Sequence, residues 1–267
     1  MKKIGIIAGN NSLPILLSQE AKQSGVEEIY VVGFNDITVP EIKRHVTRVT
    51  FISVGQFGSL LQFFKKNAVE HIFMIGQIPP RLIFKKIKFD LRGMNLFRKV
   101  YKKGAVEVFG VIAKELEKEG LQLLDSTFYL QNHLARKGIL TKKAPTKKII
   151  RDIHRGTEIA KHLTQLDIGQ TVVVKDGAVL ALEAFEGTDE TIIRGAQLGG
   201  DGVIVVKVSS SKQDMRFDVP VIGPKTIEVL RDVKAKALSI DAGKTLLIDK
   251  QYSLNEANKS GLVIVAS

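Results

Sequence analysis

Two acidic residues flank an arginine in Gln213-Asp214-Met215-Arg216-Phe217-Asp218-Val219-Pro220, a segment that follows a buried apolar run. If it is extended, side chains alternate: Asp214, Arg216 and Asp218 share one face, and Met215, Phe217 and Val219 share the other. Two carboxylates around a guanidinium suit a Mg²⁺–diphosphate. Mg²⁺ takes one or two carboxylates plus phosphate oxygens, and arginine grips phosphate in a fork. The competing reading is a polar strand face closed by its own salt bridge. A second acidic stretch, Glu183-Ala-Phe-Glu186-Gly-Thr188-Asp189-Glu190, has no basic residue between Lys175 and Arg194 in a chain that is otherwise basic. Acidic side chains at a helix start explain Asp189 and Glu190. Glu183 and Glu186 are not explained that way.

Other chemistries are poorly served. The chain has no cysteine, which removes disulfides, thiolate zinc sites and cysteine nucleophiles together. None of its five histidines forms a helical pair at four-residue spacing, and no serine sits in a nucleophile elbow. A hydrolase built on this sequence must use carboxylates. Gly9-Asn10-Asn11-Ser12-Leu13-Pro14, directly after the first strand, offers backbone N–H groups and a helix N-terminus to a phosphate or a uridine. It is neither a P-loop nor a dinucleotide fingerprint. Gly243-Lys244-Thr245 lacks the earlier glycine of a P-loop and reads as a hairpin turn. Arg81 to Lys103 holds nine Lys or Arg against Asp90 alone, interleaved with apolar side chains. That mixture suits the surface of an anionic bilayer; a solvated helical face or an RNA-binding patch has similar composition.

These residues need a scaffold, and the patterning supplies one. Short apolar runs at Lys3–Ala8, Ile29–Gly33, Val49–Ser53, His71–Gly76 and Leu121–Leu124 alternate with helical spacing at Leu13–Ser24, Gln56–Asn67 and Ala105–Glu119. Alternation of this kind predicts α/β architecture: an N-terminal Rossmann-like parallel sheet with helices on both faces. The pattern weakens and turns basic from about Gln131 to Thr146. The domains are therefore read as 1–130, a nucleotide-binding unit, and 131–267, a catalytic α+β domain with hairpins. In the second, Asp176-Gly177 marks a hairpin, Thr188 and Asp189 open a helix through about Leu198, Gly202–Val208 is a buried strand, and Pro224 starts a helix to about Lys236. Ser253-Leu-Asn-Glu256 reads as a capping box, and Leu262–Ala266 as a final strand.

Hydrophobic residues make up 44% of 267, an ordinary globular share, and 40 Lys and Arg against 28 Asp and Glu give +12. Such a charge suits an anionic partner or simple solubility. The opening apolar run is too short for a signal peptide, and no stretch approaches the roughly 18 apolar residues of a membrane span. A cytoplasmic protein is expected, in peripheral contact with the inner membrane if the basic stretch serves that end.

Taken together, Asp167-Ile-Gly-Gln170-Thr-Val-Val-Val174, Glu183-Ala-Phe-Glu186-Gly-Thr-Asp189, Gln213-Asp-Met-Arg-Phe-Asp218-Val-Pro220 and Gly223-Pro-Lys-Thr226 resemble the LpxI-type UDP-2,3-diacylglucosamine pyrophosphatases of lipid A synthesis. Gly5-Ile-Ile-Ala-Gly9 with Leu13-Pro14, and Gly138-Ile-Leu-Thr141 with Pro145-Thr146, fit the same family in the same order. The chain departs from it at Asn10 and Asn11, where glycines are usual, near Gly76-Gln-Ile-Pro-Pro80, and near Gly104-Ala105-Val106. The resemblance implies Mg²⁺-dependent hydrolysis of UDP-2,3-diacylglucosamine to UMP and 2,3-diacylglucosamine 1-phosphate, lipid X, with water attacking the β-phosphorus. It implies a homodimer and an essential aspartate, carried here onto Asp214 or Asp218.

The expected site follows. Asp214, Asp218, Arg216 and Lys207 are the catalytic set, Arg216 and Lys207 neutralising charge on the phosphoryl oxygens. Asp214 and Asp218, with Glu186 or Asp189, are the expected Mg²⁺ ligands, one carboxylate orienting water. Gly9, Asn10, Asn11, Leu13 and Pro14 are expected to seat the nucleotide, with Thr188 and Gln213 as further substrate contacts. The alternative is a non-catalytic sugar-nucleotide or lipid-binding protein. A nucleic-acid partner is not expected, since aromatic residues are only 6% with no Trp and leave little stacking surface.

Overall fold

A computed structural model describes residues 1–78, 87–101, 105–210 and 213–267. The chain divides into two compact units, residues 1–131 with 214–218, and residues 132–213 with 219–267. Five residues of the later sequence, 214–218, thus pack with the first unit, an exchange that the sequence pattern does not reveal.

The first unit is built on five parallel strands, β1 (Lys3–Ala8), β2 (Glu28–Phe34), β3 (Arg48–Ile52), β4 (His71–Ile75) and β5 (Gln122–Leu123), in the order β3-β2-β1-β4-β5. Helices α1 (Leu13–Gln23), α2 (Phe57–Lys66), α3 (Leu91–Val100) and α4 (Ala105–Lys118) connect and cover them. Parallel sheets need helices on both faces, so their strands read as continuous apolar runs. Here Ile7, Val32, Ile52 and Ile72 pack with Leu60, Leu61 and Phe64 of α2 and Ala113 and Leu116 of α4. Ile4 and Ile6 point to the opposite face and are fully buried there. The winding reverses between the neighbours β1 and β4, where open parallel sheets form a crevice at their carboxyl ends.

The second unit carries α5 (Lys147–Gln165), α6 (Thr188–Gly199), α7 (Pro224–Asp232) and α8 (Lys250–Lys259) around a six-stranded sheet. Its strands are β6 (Gly138–Ile139), β7 (Thr171–Lys175), β8 (Ala178–Leu182), β9 (Ile204–Lys207), β11 (Ala237–Ile240) and β13 (Val263–Ala266), ordered β6-β13-β11-β9-β7-β8. A separate parallel pair joins β10 (Val221–Ile222) and β12 (Leu246–Leu247). Within the large sheet β9, β11 and β13 are parallel, while β7 and β8 form the expected hairpin. Its two-residue turn, Asp176 at φ 53° and Gly177 at φ 80°, has the left-handed backbone that a tight hairpin requires. The buried Asp152 carboxylate of α5 accepts the N–H of both, at 3.1 and 2.9 Å.

α5 packs on one face through Ile149, Ile153, Ala160 and Leu163, against Val172, Val174, Ile204 and Val206. On that same face Gly156 meets the sheet, since a Cβ there would stand 2.6 Å from Val206 Cγ2. The other face meets α6, α7 and α8 through Ile192, Ile227, Leu230 and Ala257. Two local expectations fail. Ser253 lies inside α8, whose N-cap is Asp249, and its hydroxyl donates to the Ile248 carbonyl at 2.9 Å. The capping-box spacing is therefore coincidental. Gly243-Lys244-Thr245 is a turn but not a hairpin, because β12 pairs in parallel with β10 rather than folding back on β11.

Candidate active site

At the carboxyl edge of the first sheet the turns after β1 and β4 are tied together. The Gly9 N–H donates to the Ile75 carbonyl at 2.8 Å and the Asn10 N–H to the Gln77 carbonyl at 2.8 Å. Gln77 N–H donates back to Asn10 Oδ1 at 3.1 Å. A Cβ on Gly9 would stand 2.4 Å from the Gly76 carbonyl carbon, so only glycine allows this approach. Asn11, left-handed at φ 66°, accepts the Leu13 N–H on its side-chain oxygen at 2.9 Å and starts α1, with Pro14 in the first turn. The N–H groups of Gly9, Asn10 and Leu13 are therefore engaged within the protein. The turn's backbone geometry suits a phosphate less than its sequence suggests.

Beside this junction lies an apolar cavity of about 210 Å³. Ile7, Phe34, Ile52 and Met74 line it from the strand ends, Gly93, Leu96, Phe97 and Val100 from α3, and Val108, Phe109 and Ile112 from α4. α3 is held over it by Asp90, whose carboxylate accepts the N–H of Gly93 at 2.7 Å and of Ser59 in α2 at 3.0 Å. Burial pushes the Asp90 carboxyl up, but the backbone donors Gly93, Ser59 and Gly58 outweigh it and hold the group below its ordinary value. Gly93 is obligatory, since its Cβ would fall 1.7 Å from the Gly55 carbonyl oxygen.

The segment 214–218 closes one wall. It is a turn rather than the extended strand expected: the N–H groups of Phe217 and Asp218 both donate to the Asp214 carbonyl, at 3.1 and 2.9 Å. Phe217 stacks on Phe109 at 5.2 Å between centroids and lines the cavity. Arg216 folds back onto Asp214 in a two-pronged pair, Nε to Oδ1 at 3.0 Å and Nη2 to Oδ2 at 2.7 Å. It reaches Glu117 of α4 as well, at 3.2 Å. The guanidinium holds the Asp214 carboxyl below its ordinary value, and the carboxylate raises the arginine in return. The internal salt bridge weighed from sequence exists, and it exists inside a cavity wall.

Ser126, absent from the sequence-derived set, fixes this wall. Its hydroxyl contacts the carbonyls of Met74 at 2.6 Å and Arg216 at 2.7 Å, and its N–H donates to the Met215 carbonyl at 3.0 Å. It is fully buried, and nothing in the sequence marks it.

In the second unit, Lys207 and Thr188 meet where β9 ends, and the other predicted residues are engaged separately. Lys207, only 7% exposed, donates to Thr188 Oγ1 at 3.1 Å and to the Val221 carbonyl at 3.3 Å. Thr188 donates to the equally buried Glu183 at 3.1 Å, and Glu183 accepts the Gln170 N–H at 3.2 Å. Glu186 is bound elsewhere. Its own backbone N–H and then Arg194 hold its carboxyl below the ordinary value. Asp189 accepts from Thr226 at 2.9 Å and pairs with Lys225 at 3.2 Å. Gln213 accepts the Ser210 N–H at 2.9 Å. Among the described residues no group of three or more His, Cys, Asp or Glu is arranged to hold a metal ion. The residues present do not fit a preformed four-carboxylate cage. The Asp214 carboxylate is instead taken up by Arg216.

Comparison with known proteins covers the whole chain. The family model described as the LpxI N-terminal domain matches residues 3–133, and that of the LpxI C-terminal domain matches residues 136–265. The chain is 27% identical over 277 residues to UDP-2,3-diacylglucosamine pyrophosphatase LpxI of Caulobacter vibrioides, across 99% of this chain and 97% of that protein. Likeness to solved structures is slight. CobK precorrin-6A reductase aligns over 100% of this chain and 89% of its own at 12% identity, with a TM-score of 0.31. N5-carboxyaminoimidazole synthetase from Staphylococcus aureus, complexed with ADP, aligns over 70% of this chain at 15% identity and a TM-score of 0.26. This chain spans about 39% of that structure's length.

Proposed function

Because this chain belongs to the LpxI family, matching both of its domain models in order, we propose that it hydrolyses the diphosphate of UDP-2,3-diacylglucosamine in lipid A synthesis. The products are UMP and 2,3-diacylglucosamine 1-phosphate. The observation that carries the reading is the turn 214–218. In five residues it places the Phe217 ring in the wall of an apolar cavity and carries the paired Asp214 and Arg216, with Asp218 next in sequence to the ring. A diacylated sugar diphosphate needs that neighbourhood: a dry slot for hydrocarbon next to groups that handle phosphate.

The roles follow from the chemistry of each group. The cavity takes an acyl chain. An apolar cavity of ~150 Å³ holds a benzene ring, so this one has room for roughly eight carbons, part of one chain. Arg216, drawn from Asp214 by the more highly charged diphosphate, forks onto its oxygens and offsets the charge that grows as the bridging P–O bond breaks. One of Asp214 and Asp218 orients the attacking water and accepts its proton. Mg²⁺ held by Asp214 and Asp218 would supply further neutralisation of the phosphoryl oxygens. In the second unit Lys207, steadied by Thr188, which Glu183 holds in turn, is a buried cation suited to an anionic oxygen. Homodimerisation belongs to the same proposal, with light scattering as its check.

The test is incubation of the purified protein with UDP-2,3-diacylglucosamine, with Mg²⁺ or with EDTA, and assay for UMP. Release of UMP with Mg²⁺ and its loss with EDTA are expected. Binding without release would make the chain a carrier rather than an enzyme.

A further inference from the structure

We propose that α3 is a bilayer-docking helix and the doorway through which a substrate acyl chain passes from an anionic membrane into the cavity. The inference rests on the diacyl-substrate reading for what passes, and on α3 itself for where.

α3 has two apolar faces. Gly93, Leu96 and Val100 face the cavity. On the outer side Leu91 is 87% exposed, Tyr101 67%, and Met94 and Phe97 40% each. At 100° per residue these four and Arg98 fall within about a third of the helix circumference. A helix that is apolar on its buried face normally presents polar residues outward, so a second apolar stripe needs a partner. The aromatic rings show where it leads. Phe89 lines the cavity, Phe97 lies 5.2 Å from it and both lines the cavity and reaches solvent, and Tyr101 lies 5.7 Å beyond on the exterior. The apolar path from surface to interior is continuous.

Charge selects the partner. Arg98 lies within the stripe and Lys88 just precedes the helix, while Arg92 and Lys99 lie on the side turned to α4; the neighbouring Asp90 is spent as the helix cap. Arg92 reaches Glu119, just past the end of α4, and Lys99 reaches Glu115 of α4, which fastens the helix base while Arg98 stays in the outer stripe. A second copy of this chain, docked face to face, would set Arg98 near its own counterpart. An anionic bilayer takes both the hydrocarbon and the charge, as interfacial helices do.

The test uses the intact protein and a triple variant, Leu91→Glu, Met94→Glu and Tyr101→Glu, none of which lines the cavity. Co-sedimentation with phosphatidylethanolamine vesicles carrying 0 or ~30% phosphatidylglycerol measures docking. Turnover of a water-soluble, short-chain UDP-diacylglucosamine measures chemistry apart from the membrane. The wild type is expected to bind the anionic vesicles at least ~10-fold better than the neutral ones, with the triple variant losing that binding. Short-chain turnover is expected to stay within ~2-fold, with unchanged far-ultraviolet circular dichroism as the check on folding. A milder variant, Tyr101→Ser, is expected to weaken vesicle binding partially. Equal vesicle binding by wild type and variant, or none by wild type, overturns the proposal. So does a dimer that the triple variant converts to monomer, since a second copy then covers the face. Absence of short-chain turnover in the wild type would sink the pyrophosphatase reading and leave the vesicle result to decide docking alone.

Discussion

At the carboxyl edge of the first sheet, β1, β3 and β4 run out into apolar side chains around an open volume. At the corresponding edge of the second, β9 runs out into Lys207, whose buried ammonium is held by Thr188 and the Val221 carbonyl. Both edges occupy the position that parallel sheets reserve for ligands. The difference lies in what fills them. Hydrocarbon can be admitted only where side chains leave a dry void, and a buried cation persists only where every polar neighbour is paired. Topology chooses the place, and residue type chooses the chemistry.

The comparison breaks most sharply at the turn that gives the first edge its polar groups. Asp214→Ala and Asp218→Ala are each expected to lower UMP release by about 10² to 10⁴-fold while the fold persists. Near-normal turnover in both would remove the catalytic role of that edge. Phe217→Ala tests the hydrocarbon half. Losing this half-buried ring from the cavity wall is expected to raise KM for long-chain substrate about 10- to 100-fold, with much less change for a short-chain analogue.

The second edge is probed by Lys207→Met, which fills the same space without charge. It removes the ammonium donor from the Val221 carbonyl and from Thr188, which keeps its bond to Glu183, and is expected to cost about 1–3 kcal/mol in urea unfolding. Asp90→Ala should cost about 1 kcal/mol through loss of the α3 cap. It should also loosen the cavity roof, visible as faster amide exchange over Leu91–Val100.

The smallest effect is that of acid. Asp214 sits below its ordinary 3.8 because of Arg216. Its folded value lies below its unfolded one, so its stabilisation is complete above the unfolded value and lost as pH falls through the folded one. Arg216→Leu should remove that contribution at neutral pH and change little once Asp214 is protonated, so that stability varies less as pH falls through about 4.

The two edges also differ in how far the sequence discloses them. The strands of the first sheet are continuous apolar runs between punctuating glycines, so their positions follow from pattern. The hairpin at Asp176-Gly177 follows from turn chemistry. α5 is harder. Its Ile149, Ile153, Ala160 and Leu163 have helical spacing, but they are set among so many charged residues that the sequence reading assigns no element there. α3 was hidden similarly, its apolar residues counted with a basic run, five of whose nine cations lie outside the described residues. In the site, residue types were legible and conformation was not. Alternation assigned Phe217 to an apolar face, and it does line the cavity. Only the fold shows that Ser126, some 90 residues earlier, bends that segment into a turn and that Arg216 closes on Asp214. Long-range hydrogen bonds leave no periodic trace.

The central claim is that the first edge receives substrate hydrocarbon beside the polar turn. A UDP-2,3-diacylglucosamine analogue with a diazirine at mid-chain, irradiated on the protein and mapped by mass spectrometry, tests it directly. Labelling is expected on Leu96, Phe97, Val108, Phe109 or Phe217 and should be competed by unlabelled substrate. Competable labelling confined to residues 132–213 would contradict the account.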